Sequence, residues 1–189
     1  ENNYIENLTH LINEAKKPLV IVGNGIRLSD SYESLNNFLS KTKIPVVTGP
    51  HSGVDAVDNT YEYYSGRIGI LGQLSSNKIV QEADLLIVLG SRLPVKMTGY
   101  NLKDFSPNSK KIYVDIDVNE INKHAFNIDL PIVKDLKSFF NDIKDISFTY
   151  NISDWHLKVK KYRNSQEYVH PKHKTLKDYA SFYYLINKA

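Results

Sequence analysis

Five short runs of apolar residues, none broken by alternating polar residues, are the feature that most constrains the fold of this chain. They lie at residues 19–22, 44–48, 85–89, 111–116 and 131–133. A strand that is apolar on both sides is typical of a sheet covered by helices on both faces, because a sheet with one solvated face shows alternation. The runs therefore predict the strands of a buried, mainly parallel sheet.

Stretches with helical spacing of their apolar residues separate these runs. Ser29 or Asp30 is expected to cap the second of them. Strands that alternate with helices predict an α/β fold with right-handed crossovers. We therefore expect an open, mainly parallel Rossmann-like sheet with helices on both faces. The predicted helices cover residues 4–16, 31–42, 73–83 and 135–144.

Charge divides the chain into two parts. The net charge is +3, but residues 155–189 hold eight Lys and Arg against Glu167 and Asp178. Residues 1–154 keep 16 of the 24 basic and 19 of the 21 acidic residues, so this part is acidic. The change predicts an α/β domain over residues 1–148 and a connector over residues 149–189.

The connector is expected to contain a basic helix over residues 154–163 and an amphipathic helix over residues 175–188. The second helix would either pack on its own domain or begin a following one. Met97 is the only methionine, and the chain does not begin with one, so we expect a piece of a longer protein.

Several classes of protein are not expected from the composition. Cysteine is absent, which excludes disulfides and cysteine-based metal sites or nucleophiles. No run of about 18 apolar residues indicates a membrane span. The six histidines show metal-like spacing only at His170 and His173. The basic charges do not gather on one face, so nucleic acid is not expected as a partner. The first ten residues are polar, so no signal peptide is expected and the predicted location is the cytoplasm.

The carboxyl ends of the predicted strands carry the candidate binding residues, because ligands of open parallel sheets bind at that edge. Gly23, Asn24 and Gly25 give the opening G-x-G of a dinucleotide-binding turn, but Leu28 replaces the third glycine. Thr48 ends the next strand where a ribose-binding carboxylate would stand, so a nicotinamide dehydrogenase is not expected.

The same strand ends also fit a purely structural interpretation. The glycines can simply turn each strand into a loop, and Asp115 and Asp117 can cap a helix or bond the loop instead of binding a ribose or a metal. Arg92 can meet a phosphate or form a surface ion pair. The residue types alone leave these alternatives open.

Several stretches taken together resemble the central domain of thiamine-diphosphate-dependent enzymes of the acetolactate synthase type. The strongest pair is QEADLLIVLGSR followed by YVDIDVNEI, and Trp155 with YVHP resembles the passage into the following domain. The matching stretches are AKKPLVIVGNGI, IPVVTGPHSGVDAVD, GRIGILGQLSSNKIVQEADLLIVLGSRL, KKIYVDIDVNEINK and LPIVKDLK, which cover roughly residues 8–140.

The resemblance implies the middle domain of a larger enzyme with three α/β domains. In the family, the catalytic glutamate lies in the preceding domain, and the motif for magnesium and diphosphate lies in the following one. The chain alone is then expected to be inactive, with thiamine diphosphate and Mg²⁺ bound outside it. The parent would decarboxylate a 2-keto acid, ligate the product to an acceptor and form a homo-oligomer. The partners of this chain would be the flanking domains of the same polypeptide.

The resemblance also implies FAD, which the central domain of acetolactate synthases holds in a largely structural role. Two motifs depart from the family: G-M-H-G is Gly69-Ile70-Leu71-Gly72, and G-A-R-F-D-D-R is residues 90–96 with neither aspartate. The alternatives are a free-standing nucleotide-binding module, sirtuin-like or electron-transfer-flavoprotein-like, and a purely structural domain. The expected contacts are Asn24, Gly25, Thr48, Gly49, Gly69, Gly72, Gly90, Ser91, Arg92, Asp115, Asp117, Lys134 and Asp135.

Overall fold

One parallel sheet organises the computed structural model, which describes residues 3–123 and 125–165. Its strand order is β3-β2-β1-β4-β5-β6, and every neighbouring pair is parallel. The predicted open α/β sheet is therefore confirmed. The strands are β1 (Pro18–Val22), β2 (Val46–Thr48), β3 (Tyr64–Arg67), β4 (Leu85–Leu89), β5 (Lys110–Asp115) and β6 (Leu130–Val133).

Helices cover both faces of the sheet. The crossovers from β1 to β2 and from β3 to β4 move along the sheet in opposite directions, so right-handed connections place their helices on opposite faces. The α3 and α7 helices pack together, as do α4 and α8. The helices are α1 (Asn3–Glu14), α2 (Gly25–Leu28), α3 (Tyr32–Thr42), α4 (Leu74–Glu82), α5 (Val95–Thr98), α6 (Val118–Asn122), α7 (Leu136–Ile143) and α8 (Ser153–Asn164).

The central strands form the core, as their composition predicts. Every residue of β1 and β4 is buried, and Val20 pairs with Ile87, which pairs in turn with Ile112 of β5. Burial of a Val, Leu or Ile side chain contributes about 1.5–3 kcal/mol. The apolar runs therefore lie where the sheet is covered on both sides.

The edge strand β3 is the strand that the apolar pattern does not predict. Its sequence is YSGR, and the structure satisfies its polar backbone with side chains from the start of α4 and the residue before it. The Arg67 N–H donates to Gln73 Oε1 at 2.5 Å, and the Ser76 hydroxyl donates to the Ser65 carbonyl. An edge strand pairs with a neighbour along only one of its edges. When side chains satisfy its remaining backbone groups, it needs no continuous apolar run.

The cap predicted for α3 is wrong. Ser31 stands directly before the helix, and neither Ser29 nor Asp30 takes that position. Asp30 adopts a left-handed conformation with φ of 52°, which turns the chain, and the Ser29 hydroxyl donates to the Gly25 carbonyl at 2.8 Å. The Ser29 side chain, which the sequence predicts as a cap of α3, thus stabilises the local turn between α2 and α3 instead.

The basic helix predicted over residues 154–163 is confirmed as α8. Trp155 is 2% exposed, and its indole Nε1 donates to the Pro18 carbonyl at 2.9 Å. The helix is therefore anchored to the beginning of β1. The domain boundary after residue 148 stays a prediction, and the helix predicted over residues 175–188 lies outside the described residues.

Two half-buried phenols are expected to make this fold sensitive to alkaline pH. Burial raises the pKa of Tyr61 and of Tyr150 to about 12, and their hydroxyls donate to the Leu39 and Thr42 carbonyls of α3 at 2.9 and 2.6 Å. A tyrosine of the unfolded chain has a pKa of about 10, so the unfolded state loses these protons first and stability falls between pH about 10 and 12. Urea unfolding at pH about 9 and 11 should show this fall. The Tyr150→Phe variant should show a smaller one, and an equal fall would contradict the assignment to Tyr150.

Candidate functional site

Backbone contacts join the turn after β1 to the turn after β4. The Gly23 N–H donates to the Leu89 carbonyl at 3.0 Å, and the Gly25 N–H donates to the Gly90 carbonyl at 2.9 Å. Gly90 has φ of 56°, in the left-handed region that favours glycine. The sheet thus brings together two loops that the sequence separates by more than 60 residues.

These glycines are required by the close approach of the two loops. A Cβ at Gly23 would lie 2.2 Å from the Gly90 carbonyl oxygen, and one at Gly25 would lie 2.6 Å from the Gly90 Cα. The contact explains glycine here without a ligand, as the structural interpretation expected. The Gly25 N–H donates to the Gly90 carbonyl and is therefore not free to bind a phosphate in this structure. A role of this turn in cofactor binding stays a prediction.

Thr48, Gly49 and Ser91 line the interior side of the same edge. Thr48 Oγ1 and the Tyr64 hydroxyl share a hydrogen bond of 3.0 Å. A Cβ at Gly49 would lie 3.0 Å from the Met97 sulfur. The carbonyl of the buried Ser91 accepts a hydrogen bond from the Tyr113 hydroxyl. Burial raises the pKa of Tyr113, so this phenol remains a neutral donor. These contacts order the loops that follow β2 and β4.

The loop that carries Gly69 and Gly72 is held by Asn77 of α4. The Gly69 N–H donates to Asn77 Oδ1 at 2.8 Å, the Asn77 amide returns a bond to the Gly69 carbonyl at 3.1 Å, and Gly72 N–H donates to that carbonyl at 2.9 Å. Gly69 and Met97 also line a cleft of about 260 Å³. Sequence reasoning missed Asn77 and Met97, because no motif marks either of them.

The three predicted carboxylates make local hydrogen bonds. Asp115 Oδ1 accepts the Asp117 N–H at 3.0 Å, and Asp117 in turn caps α6 through the Asn119 N–H at 2.9 Å. Asp135 caps α7 by accepting the N–H groups of Lys137 and Ser138. The capping alternative stated for the D-x-D pair is therefore what the structure contains. Caps of this kind contribute about 1 kcal/mol each.

The two predicted cations also have protein partners. Lys134 Nζ pairs with Asp142, which the Tyr4 hydroxyl contacts as well. Arg92 Nε lies 3.6 Å from Glu120 Oε1, and the Arg92 side chain is 75% exposed. A pair this exposed contributes little to stability, so the guanidinium can exchange this partner for another anion at little cost.

Exposed apolar side chains surround this edge of the sheet, and sequence reasoning missed most of them. Six of them follow the ends of β1, β3, β4 and β5, in loops and short helices where polar residues are usual, and the seventh is the last residue of β6. Their shared position at the carboxyl edge of the sheet makes this edge a candidate for a covered surface. The residues are Leu28, Ile70, Leu71, Val95, Ile116, Val118 and Val133, which we call the apolar rim.

Residues 3–123 and 125–165 contain no group of three or more His, Cys, Asp or Glu side chains that could hold a metal ion. Among the same residues, no helix has the length and apolar character needed to cross a membrane.

Comparison with known sequences gives a family match over most of the chain. The sequence model described as "Thiamine pyrophosphate enzyme, central domain" matches residues 5–143. The match begins in α1 and ends at the last residue of α7, so it includes every strand of the sheet.

Named relatives agree with this match. The acetolactate synthase large subunit of Corynebacterium glutamicum is 35% identical over 156 residues, which are 80% of this chain and 24% of the relative. The isozyme 2 large subunit of Escherichia coli is 38% identical over 119 residues, 63% of this chain and 21% of the relative. The probable large subunit of Methanococcus aeolicus is 34% identical over 148 residues, with coverages of 78% and 24%. The chain thus spans between a fifth and a quarter of the length of these relatives.

Proposed function

The chain belongs to the thiamine pyrophosphate enzyme family, as its central domain, and from this premise we propose that it is the non-catalytic middle part of an acetolactate synthase-like enzyme. The observation that carries the proposal is the 35% identity with an acetolactate synthase large subunit over 80% of the chain. The parent enzyme would decarboxylate a 2-keto acid and ligate the product to an acceptor. It would use thiamine diphosphate and Mg²⁺ bound by the flanking domains, and it would act as a homo-oligomer in the cytoplasm.

The arrangement of the sheet edge supports a non-catalytic role. The carboxylates of Asp117 and Asp135 already cap helices. Arg92 and Lys134 pair with carboxylates. We propose that this domain spaces the catalytic domains, with its apolar rim covered inside the parent enzyme.

We propose further that the carboxyl edge holds FAD. The residues fit an anionic cofactor because the Arg92 guanidinium is exposed at this edge and can exchange Glu120 for a phosphate at little cost. Asn24 and Gly25 with Gly90 to Arg92 would contact the phosphates, and Asp115 and Asp117 would contact the ribose. The apolar rim would exclude water from the flavin ring. When bound, the flavin would stabilise the assembly rather than take part in the carbon chemistry.

Purification of the full-length protein tests both proposals. We expect it to release CO₂ from at least one member of a panel of 2-keto acids, only when thiamine diphosphate and Mg²⁺ are added, and to carry flavin absorbance in the visible. The 189-residue chain alone should release no CO₂, because the predicted catalytic glutamate lies outside it. Full-length protein that processes no 2-keto acid would contradict the catalytic proposal. Protein that stays colourless after incubation with FAD would contradict the flavin proposal alone.

A further inference from the structure

A cleft of about 400 Å³ lies between α3 and α7, and none of the residues predicted to contact a cofactor lines it. Its floor is aromatic. The ring centroids of Phe38 and Phe140 are 6.0 Å apart, and Phe148 meets Phe38 edge-on at 6.3 Å. Its rim is polar and carries no carboxylate: it consists of Ser34, Asn37, Lys41, Lys137, Asn141 and Lys144.

The cleft is closed at one end by the chain itself. Lys41 Nζ donates to the Lys144 carbonyl at 3.1 Å, so the carboxyl ends of the two helices meet. The segment after α7 then crosses to α3, where the Tyr150 hydroxyl donates to the Thr42 carbonyl at 2.6 Å. From Lys137 to Lys144 the cleft follows two helical turns, about 10 Å. A blind cleft of this size suits a small molecule better than a continuous peptide.

Positive charge gathers in this cleft with one weak acidic partner, Asp30, while Lys144 Nζ donates to the Asn141 Oδ1 of the rim at 3.1 Å. Among the described residues, Lys41 and Lys144 form no ion pair, and Lys137 lies 4.0 Å from Asp30 with both side chains exposed. Elsewhere Lys134 and Lys158 each pair with a carboxylate. The cleft therefore differs from the rest of residues 1–154, where acidic residues outnumber basic ones.

Helix dipoles account for only two of the three lysines. Lys41 and Lys144 stand at the carboxyl ends of α3 and α7, where a cation is favourable. Lys137 stands in the first turn of α7, where the dipole disfavours a cation. Its partner Asp30 lies 4.0 Å away and both side chains are exposed, so Lys137 can exchange this carboxylate for that of a bound anion at little cost.

We propose that the α3–α7 cleft binds a small amphipathic carboxylate. The alkyl or aryl part rests on Phe38, Phe140 and Phe148, and the ammonium groups hold the carboxylate. An aromatic floor with a few placed polar groups is the usual make-up of small-molecule sites, and this volume falls in their range. The site is separate from the proposed flavin edge and does not depend on the proposed function.

Titration of the 189-residue chain with octanoate, followed by two-dimensional ¹⁵N NMR, tests the proposal. We expect saturable shifts of the Asn37 and Asn141 side-chain amides, and weaker shifts with octanol, which has the same chain length but no charge. The double variant Lys41→Gln/Lys144→Gln should bind octanoate at least about tenfold more weakly, because hydrogen bonds to charged groups contribute about 1.5–3 kcal/mol. The control Lys78→Gln, an exposed lysine of α4, should bind as the original chain does.

Three results would overturn the proposal. The first is the absence of saturable shifts at Asn37 and Asn141, and the second is equal binding of octanol and octanoate. The third is unchanged octanoate affinity in a double variant whose spectrum shows the native fold. If the double variant does not fold, the single variant Lys137→Gln gives the same test, because this side chain reaches no carbonyl or carboxylate closer than 4.0 Å among the contacts described.

Discussion

Replacing Trp155 with alanine is expected to lower the free energy of unfolding by about 4 kcal/mol, since large-to-small changes at a buried tryptophan cost about 3–5 kcal/mol. The indole is 2% exposed and joins α8 to the start of β1 through the Pro18 carbonyl. Alanine would leave a cavity between the helix and the sheet and a buried carbonyl without its donor. A loss of this size is a large share of the 5–15 kcal/mol that typical domains possess.

Urea unfolding of the 189-residue chain measures this effect. Trp155 is the only tryptophan, so circular dichroism must replace fluorescence for its variants. The matched control is Leu157→Ala in the same helix: Leu157 is 68% exposed, and its loss should change stability by no more than about 0.5 kcal/mol. Equal effects of the two substitutions would show that α8 does not belong to the folded domain, and would support a domain boundary before it.

Replacing Gly23 with alanine should cost about 3 kcal/mol, at the upper end of what overpacking usually costs. The new Cβ would lie 2.2 Å from the Gly90 carbonyl oxygen and 2.4 Å from the Ser91 Cα. Both are backbone atoms, so relief requires the ends of β1 and β4 to separate and the bond from Gly23 N–H to the Leu89 carbonyl to lengthen. The same separation would open the edge proposed to hold FAD, so the full-length variant should also lose flavin.

The sign of this effect distinguishes the two interpretations of the glycine. If Gly23 served only to turn the chain, alanine would stabilise the protein by about 0.4–1 kcal/mol through the unfolded state. The control Asn24→Ala should change stability by less than about 0.5 kcal/mol, because Asn24 is exposed and its side chain makes no capping bond. Thermal unfolding followed by circular dichroism measures both variants, and a stabilised Gly23→Ala protein would contradict the contact.

The sequence predicted some strands closely and missed one, for a physical reason. The run at residues 85–89 is β4, because a strand buried on both sides must be apolar throughout. The edge strand β3 needs no such run, and the side chains that stabilise it, Gln73 and Ser76, lie directly before and within the following helix. The short helices α2, α5 and α6 were also missed, since four or five residues are too few to show helical periodicity.

The sequence predicted which strand ends lie together at the carboxyl edge, but it did not predict the hydrogen-bond partners of the residues there. Gly25 and Gly90 lie together at the carboxyl edge, as the end of each strand implied. That Asp135 caps α7 and Lys134 pairs with Asp142 could not be predicted, because D and K at a strand end are equally compatible with ligands and with protein partners. The assignment of these residues to a cofactor stays a prediction.

The sequence by itself determined the fold class and the family, because both depend on local patterns: apolar runs, helical spacing and motifs in a given order. Only the tertiary structure decided which of those residues meet. The contact of Gly23 with Gly90, the anchoring of Trp155 on Pro18 and the gathering of three lysines around Phe38 all join residues distant in the chain. Such pairings depend on strand order and helix packing, which leave no periodic signal in the sequence.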